Sequence, residues 1–275
     1  MAEIISASHD VVFKALFVRN QDILRAFLSD ILDLPITDSD TVTILNPELI
    51  PDLPDGKLSR LDIHVKTIKR KVNIEMQARK IGFSPERVLY YWAEMFTEKF
   101  EKGEQYEKLE QAFSVNILDF NFLNCENYHS SYSIMEESRY EKLTDKLSIH
   151  IFELPKVPKE IISGDNKQQW MKLIRADSEE ALEMVRTTTE NPAIKKGIEA
   201  VYALNADTEL REKIRQRDKS IRDYYNDMAS AEMKGMEKGR AEGKAEERSA
   251  IAETMRRNGF TEDQIKLALG NSYNS

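Results

Sequence analysis

Two acids stand where their types and spacing suit metal chemistry. The stretch Arg60-Leu61-Asp62-Ile63-His64-Val65 alternates, with Leu61, Ile63 and Val65 toward one face of a strand and Arg60, Asp62 and His64 toward the other. A second run does the same, with Val72, Ile74 and Met76 on an apolar face and Asn73, Glu75 and Gln77 on a polar one. If the loop between them is Thr67 to Arg70, Lys66 pairs with Lys71. That register carries on to set His64 opposite Asn73, Asp62 opposite Glu75 and Arg60 opposite Gln77. Directly opposed Cβ atoms lie about 4.5–5.5 Å apart, where like charges destabilise a sheet. A divalent cation removes that penalty. Carboxylate oxygens suit Mg2+ or Mn2+, ions that take one or two carboxylates and complete their shell with water and phosphate oxygens. Such an ion activates a water and offsets charge on a phosphate in transfer. The rival reading is an amphipathic hairpin whose polar face meets water, and a single bulge would part the two carboxylates.

Basic residues crowd the same hairpin. Lys66, Lys69, Arg70, Lys71, Arg79 and Lys80 face one acid, Glu75, although the whole chain carries a net charge of −8. That excess of acid argues against coating DNA by bulk electrostatics, so any DNA contact is local. Lys66, Lys69, Arg70 and Lys71 are expected to touch phosphates, the alternative being a solvated loop. Arg87 and Tyr91, one helical turn apart, are candidates to line a DNA groove, while Tyr90 and Trp92 are assigned to the core. His9, His129 and His150 are scattered without metal-ligand spacing, which argues against a zinc site. No glycine-rich phosphate loop or Ser-His-Asp pattern is evident.

The elements that must position these residues follow from periodicity. Apolar residues recur at helical spacing from about Asp10 to Leu32, as one helix or a broken pair, and Pro35 stops the pattern. Strand-like runs cover Thr41 to Leu45, Leu61 to Lys66 and Val72 to Ala78. Ser84 and Pro85 form an N-cap and first-turn pair for a helix through Phe96, with Gly103 placed to end it. Ala112 to Leu118 reads as a buried strand that joins the sheet parallel to a neighbour, and Tyr132 to Met135 and Leu147 to Leu154 read as further strands. Helices are expected at Gln168 to Ile174, Glu179 to Val185 and Pro192 to Leu204.

Beyond Thr208 the chain becomes a highly charged helical segment whose basic and acidic residues nearly cancel. Ile214, Ile221 and Met228 form a short heptad seam, and Gly235, Gly239 and Gly243 then recur every fourth residue. Each glycine costs about 1 kcal/mol against alanine inside a helix, so three in register point to a partner helix lying close, or else to a frayed tail. A small unit is expected to close the chain. It comprises a helix through Ile251 and Met255, a stop at Asn258-Gly259, a capping box of Thr261 and Gln264, and a helix from Ile265 to Leu269, as a packing hairpin or a helix-turn-helix.

Hydrophobic residues make up 41% and charged residues 32%, enough apolar content for a buried core, and no apolar run approaches the ~18 residues of a membrane span. The start, MAEIISASHD, shows no secretory pattern, and Cys125 is the single cysteine, so a reducing cytoplasm is the expected setting.

The segments SHDVVFKALF (8–17), SRLDIHV (59–65), VNIEMQ (72–77), RVLYYWAEMF (87–96) and FELPK (152–156), with the glycine-punctuated tail, resemble the Rpn family of recombination-promoting nucleases, also described as transposases. That family lies within the PD-(D/E)XK nuclease superfamily. The resemblance implies an α/β fold with a restriction-endonuclease-like α-β-β-β-α-β core over residues 1–156, helices packed beside it over 157–207 and an all-helical tail over 208–275. It implies a DNA endonuclease using Mg2+ or Mn2+, the alternative being a nuclease-fold binding module without turnover. Asp62 and Glu75 take the metal-binding positions, with the Met76 carbonyl as a third candidate. Gln77 stands where the superfamily usually has lysine, and Leu61 replaces the proline of the PD motif. Asp10 either assists the metal or caps the first helix. Lys14 either contacts phosphate, supplying the missing positive charge, or is solvated. A homodimer through the tail completes the expectation.

Overall fold

The computed structural model describes residues 4–36, 42–46, 62–67, 70–80, 82–98 and 100–270. Arg60, Leu61 and Lys69 therefore lie outside the described residues. The first apolar stretch is a broken pair. Helix α1 (Asp10–Arg19) and helix α2 (Gln21–Leu32) part at Asn20, whose φ of −135° and ψ of 79° leave the helical region. The second helix ends at Asp33 in the left-handed conformation (φ 52°), just ahead of Pro35.

Six strands follow among the described residues: β1 (Thr43–Ile44), β2 (Ile63–Lys66), β3 (Arg70–Gln77), β4 (Gln111–Leu118), β5 (His129–Tyr132) and β6 (Leu147–Glu153). They form one mixed sheet in the order β1-β2-β3-β4-β6-β5. Strand β2 pairs antiparallel with β3, β3 with β4 and β4 with β6 run parallel, and β5 closes the far edge antiparallel to β6. The parallel entry of β4 requires a crossover, which helix α3 (Pro85–Thr97) supplies. Ser84 caps α3 by accepting from the Arg87 N–H, and Pro85 sits in the first turn where its missing donor costs nothing. The helix stops at Glu98, where ψ swings to 129°, and not at Gly103, which occupies a later turn with φ 99°. Strand β5 starts at His129, upstream of the run expected at Tyr132, and Met135 forms only an isolated bridge with Lys142.

The two faces of the sheet differ. Val72, Ile74 and Met76 join Val115, Ile117 and Phe152 in the large core, beneath α1, α2 and helices α4 (Asn166–Arg175), α5 (Glu179–Thr188) and α6 (Pro192–Ala206). On the other face α3 covers a smaller cluster of Phe83, Val88, Leu118, Ile149 and Ile151. The expectation that Tyr90 belongs to the core is corrected, since it is exposed, while Trp92 is half-buried and donates its indole N–H to the Ala112 carbonyl at 2.8 Å.

Helix α7 (Thr208–Arg257) is continuous, so the separate helix expected through Ile251 and Met255 is its last turns. Gly259 (φ 81°) breaks the chain into helix α8 (Glu262–Leu269), and the Thr261/Gln264 capping box forms as read. The chain divides into two compact units, Met1–Gln216 and Arg217–Ser275. Leu210 and Ile214 belong to the large core, which leaves Ile221 and Met228 as the seam positions of the second unit.

Asp30 ties three helices together. Its carboxylate accepts from Trp170 Nε1 (2.7 Å), Asn166 Nδ2 (2.9 Å) and Asn191 Nδ2 (2.9 Å), bringing α2, the first turn of α4 and the cap of α6 to one anion. Replacing Asp30 with alanine strands these donors, the indole among them within the core. Urea unfolding of Asp30→Ala should show a loss of about 2–4 kcal/mol, and a loss under ~0.5 kcal/mol would mean the tie is dispensable.

Candidate active site

Backbone bonds hold the hairpin in the register read from its alternation. The Thr67 N–H donates to the Arg70 carbonyl, closing a four-residue loop, and the rungs run Lys66↔Lys71, Val65↔Val72, His64↔Asn73 and Ile63↔Ile74. Asp62 immediately precedes the last rung on β2, and Glu75 immediately follows it on β3, so both side chains fall on the polar parity. Asn46 pins the backbone there. Its side chain donates to the Asp62 carbonyl at 2.7 Å and accepts from the His64 N–H at 2.9 Å. The His64 imidazole lies 4.0 Å from the Asp62 carboxylate. Asn46 fell in a turn-rich stretch of the sequence, and nothing in its type pointed to this task.

On β3 the polar face is shielded from water, while His64 on β2 stays partly exposed. Every residue from Lys71 to Met76 is buried, because β3 lies between two strands and beneath a helix on the polar side as well. Asn73 pairs with Ser114 and Glu75 with Asn116 on β4, which extends the polar strip under α3. A carboxylate at the centre of such a strip needs a counter-charge. Arg87, on the first turn of α3, provides it: Nη2 lies 2.5 Å from Glu75 Oε1, Nη1 donates to the Gly82 carbonyl at 2.6 Å, and the guanidinium sits 5.7 Å from the Tyr91 ring centroid. Side-chain exposure is 7% for Glu75 and 15% for Arg87, a pair whose breakage costs about 3–5 kcal/mol. Arg87 and Tyr91 do share a side, as their spacing implied, and from that side Arg87 reaches Glu75.

The basic hairpin tip is only partly what its composition suggested. Lys66 lies 3.4 Å from Glu110, and Arg70 Nε donates to Gln111 Oε1 at 2.9 Å, so both are tethered to the start of β4. Lys71, expected with them against phosphate, turns inward instead. Its Nζ donates to the carbonyls of Met95 (3.0 Å) and Glu98 (2.8 Å), closing the C-terminus of α3, where a cation is favoured. Lys14 is likewise fully buried within α1, which overturns the solvated reading of it. Asp10 heads α1, with its carboxylate 2.8 Å from the Val11 nitrogen and 3.3 Å from His9 Nδ1.

Among the described residues no group of three or more His, Cys, Asp and Glu side chains gathers around a common metal position. The donors at the hairpin are of the kind that needs no such cage. Two carboxylates lie on one face, and the Gln77 carbonyl accepts from the Asp119 N–H on the β4 side. Successive carbonyls of a strand alternate in direction, so that of Met76 points toward β2. Two carboxylates and a carbonyl suit a hard divalent ion that keeps water and phosphate as its remaining ligands. The Gln77 amide donates to the Arg79 carbonyl at 3.0 Å and places no charge at the site. Asp119, at the end of β4, has its carboxyl pushed above the usual range by burial, against the opposing pull of Arg175 and Ser8.

Mixed strands in α-β-β-β-α-β order, with an acid at the open end of each arm of the central hairpin, define a nuclease-like α/β core extended by helices. The profile of the PD-(D/E)XK nuclease family transposases matches residues 7–231 of the 275, and the chain belongs to that family. No curated protein and no solved structure matches it. The FELPK segment is a structural clasp. Glu153 accepts from the N–H groups of Phe122 (2.5 Å) and Leu123 (3.1 Å) and from Lys156 Nζ (2.8 Å), holding the loop after β4 to the end of β6. No described helix is long and apolar enough to cross a membrane.

Histidines that look scattered in the sequence meet across β5 and β6. His129 Nε2 lies 3.0 Å from His150 Nδ1, His150 Nε2 lies 2.8 Å from Ser148 Oγ, and the His129 ring stacks on Phe152. Burial, reinforced by Lys167, lowers both imidazoles to about 4, and His129 further disfavours charge on His150. Between that value and the ordinary 6.5 the unfolded chain binds more protons than the folded one. The pair's contribution is therefore complete above pH ~6.5 and is lost as pH falls through about 4. Urea unfolding across that window should show this decline, with a shallower slope in His150→Gln. Equal slopes in the two proteins would remove the pair as its cause.

Proposed function

We propose that this chain is a divalent-metal-dependent DNA endonuclease that hydrolyses phosphodiester bonds. The observation that carries the reading is the β2–β3 register, in which Asp62 and Glu75 adjoin one rung on the polar side, within the residues that the family profile matches. Asp62, Glu75 and the Met76 carbonyl would hold Mg2+ or Mn2+, which when bound supplies a polarised water and offsets charge on the phosphate. Asn46 and the β3–β4 ladder keep the two acids from drifting apart, a task that demands rigid backbone rather than loop. Lys66 and Arg70, at the tip of the same hairpin, are phosphate contacts in this reading, and Asp10 and Lys14 on α1 remain candidates to support the site. A cytoplasmic setting fits the single exposed Cys125, and work in recombination or on mobile elements fits the family's description. The rival, a DNA-binding module without turnover, is favoured by one observation: Gln77 is bonded to the strand's own end where a lysine would carry charge.

Supercoiled plasmid incubated with Mg2+ or Mn2+ separates the two. Wild-type protein should nick it, EDTA should stop the reaction, and Asp62→Asn and Glu75→Gln should each lower the rate by at least about 100-fold while retaining the wild-type circular dichroism. Binding without nicking in every metal would favour the rival, and wild-type rates in either variant would remove these acids from the site.

The second unit is proposed to pair two chains. At Gly235, Gly239 and Gly243 an added Cβ would meet nothing within 4 Å among the described residues, so no neighbour in this chain requires glycine there. Met233 and Met236 beside them are exposed. Since each glycine costs helix stability, a partner helix passing close is the physical reason to keep three. Light scattering of the full chain should give a dimer, and Gly239→Leu should give a monomer of equal or greater helicity. A wild-type monomer, or an undisturbed dimer in the variant, places any interface elsewhere.

A further inference from the structure

Arg87 is a counter-ion with a donor to spare, since its Nε is buried with no hydrogen-bond partner among the described residues. One of the remaining bonds goes to Gly82, in the short segment between β3 and α3 at φ 74°, and the Tyr91 ring beneath the guanidinium is exposed. Its charged attachment is the Glu75 carboxylate, at 2.5 Å. Glu75 is also one of the two acids that a divalent ion would use, so two cations have a claim on a single carboxylate. Gln77 carries no charge, and Arg87 is a cation in direct contact with Glu75.

We infer that Arg87 is a displaceable counter-ion: it neutralises Glu75 until a divalent ion takes that carboxylate, and the released guanidinium then supplies the positive charge toward phosphate that Gln77 does not. The inference rests on the proposed metal site. A divalent ion between Asp62 and Glu75 brings two positive charges to the pair, which outcompetes one guanidinium where water is scarce. Freed from Glu75, Arg87 has a planar fork matched to phosphate oxygens, a role an amide cannot fill. Its anchor on α3 keeps it beside the rung throughout. Substrate and metal together offset the cost of displacing it, so the metal-free protein keeps Glu75 paired with Arg87.

Competition makes a prediction opposite to that of a structural role. Mn2+ binding is measured by calorimetry on the full chain without DNA, for wild type, Arg87→Gln, Arg87→Lys and Asp62→Asn, with folding followed by circular dichroism. Removal of the competitor should tighten Mn2+ binding by roughly tenfold in Arg87→Gln, while single-turnover nicking at saturating Mn2+ falls by about 100-fold. Arg87→Lys should fall between on both scales, and it decides the matter should the glutamine variant fail to fold. Mn2+ binding that weakens or stays unchanged when Arg87 is replaced would make it a purely structural partner and overturn the inference. Wild-type protein that binds no Mn2+, or binds it equally well in Asp62→Asn, would instead fail the metal site itself, and this inference with it.

Discussion

The ion pair between Glu75 and Arg87 is the interaction around which the hairpin face is arranged. A carboxylate on the middle strand of a mixed sheet, with strands on both sides and a helix above, is expensive unless a cation reaches it. That requirement fixes where α3 begins. Ser84 and Pro85 start the helix so that Arg87 falls in its first turn, directly over β3, while Lys71 on the same strand binds the carbonyls at the other end. The two cations thus fasten both ends of one helix to one strand. Charges that a composition count assigns to solvent are structural here, and one of them sits on a candidate metal ligand.

Polar ties recur wherever separate parts of the first unit must keep station. Asp30 gathers α2, α4 and α6, Glu153 clasps the loop after β4, and Asn205 bonds to the backbone of Ile5, joining the end of α6 to the start of the chain. Each replaces several water contacts by buried bonds to backbone or side chain, so each specifies a single arrangement more than it adds net stability. The helices after β6 therefore form part of the same core as the sheet. Gly197 on α6 supports this, since a Cβ there would come within 3.0 Å of Leu173 and 3.3 Å of Trp170.

A rigid hairpin and a displaceable cation divide the labour of the proposed site. Ladder bonds on both sides of β3 fix the rung next to Asp62 and Glu75, and a proposed metal site needs its ligands held in this way. The guanidinium, by contrast, reaches Glu75 from a different element, so its proposed displacement leaves strand geometry undisturbed. The family to which the chain belongs is described by nuclease and transposase terms.

The sequence by itself determined whatever depends on neighbours in the chain. Alternation of Ile63 and Val65 against Asp62 and His64, with a loop of set length, was enough to predict the register, because a slip by one residue would turn every apolar side chain outward. Ser84-Pro85 and Thr261 with Gln264 announced their helix starts because capping is a matter of three or four residues. Gly103 misled because the real end of α3 is held by Lys71, which is 24 residues away from Met95. The burial of the polar face, the reach of Arg87 to Glu75 and the meeting of His129 with His150 were decided only by tertiary structure. Each depends on which surface a helix or an edge strand chooses to cover. That choice is made by the summed packing of two apolar faces, a quantity no local spacing encodes.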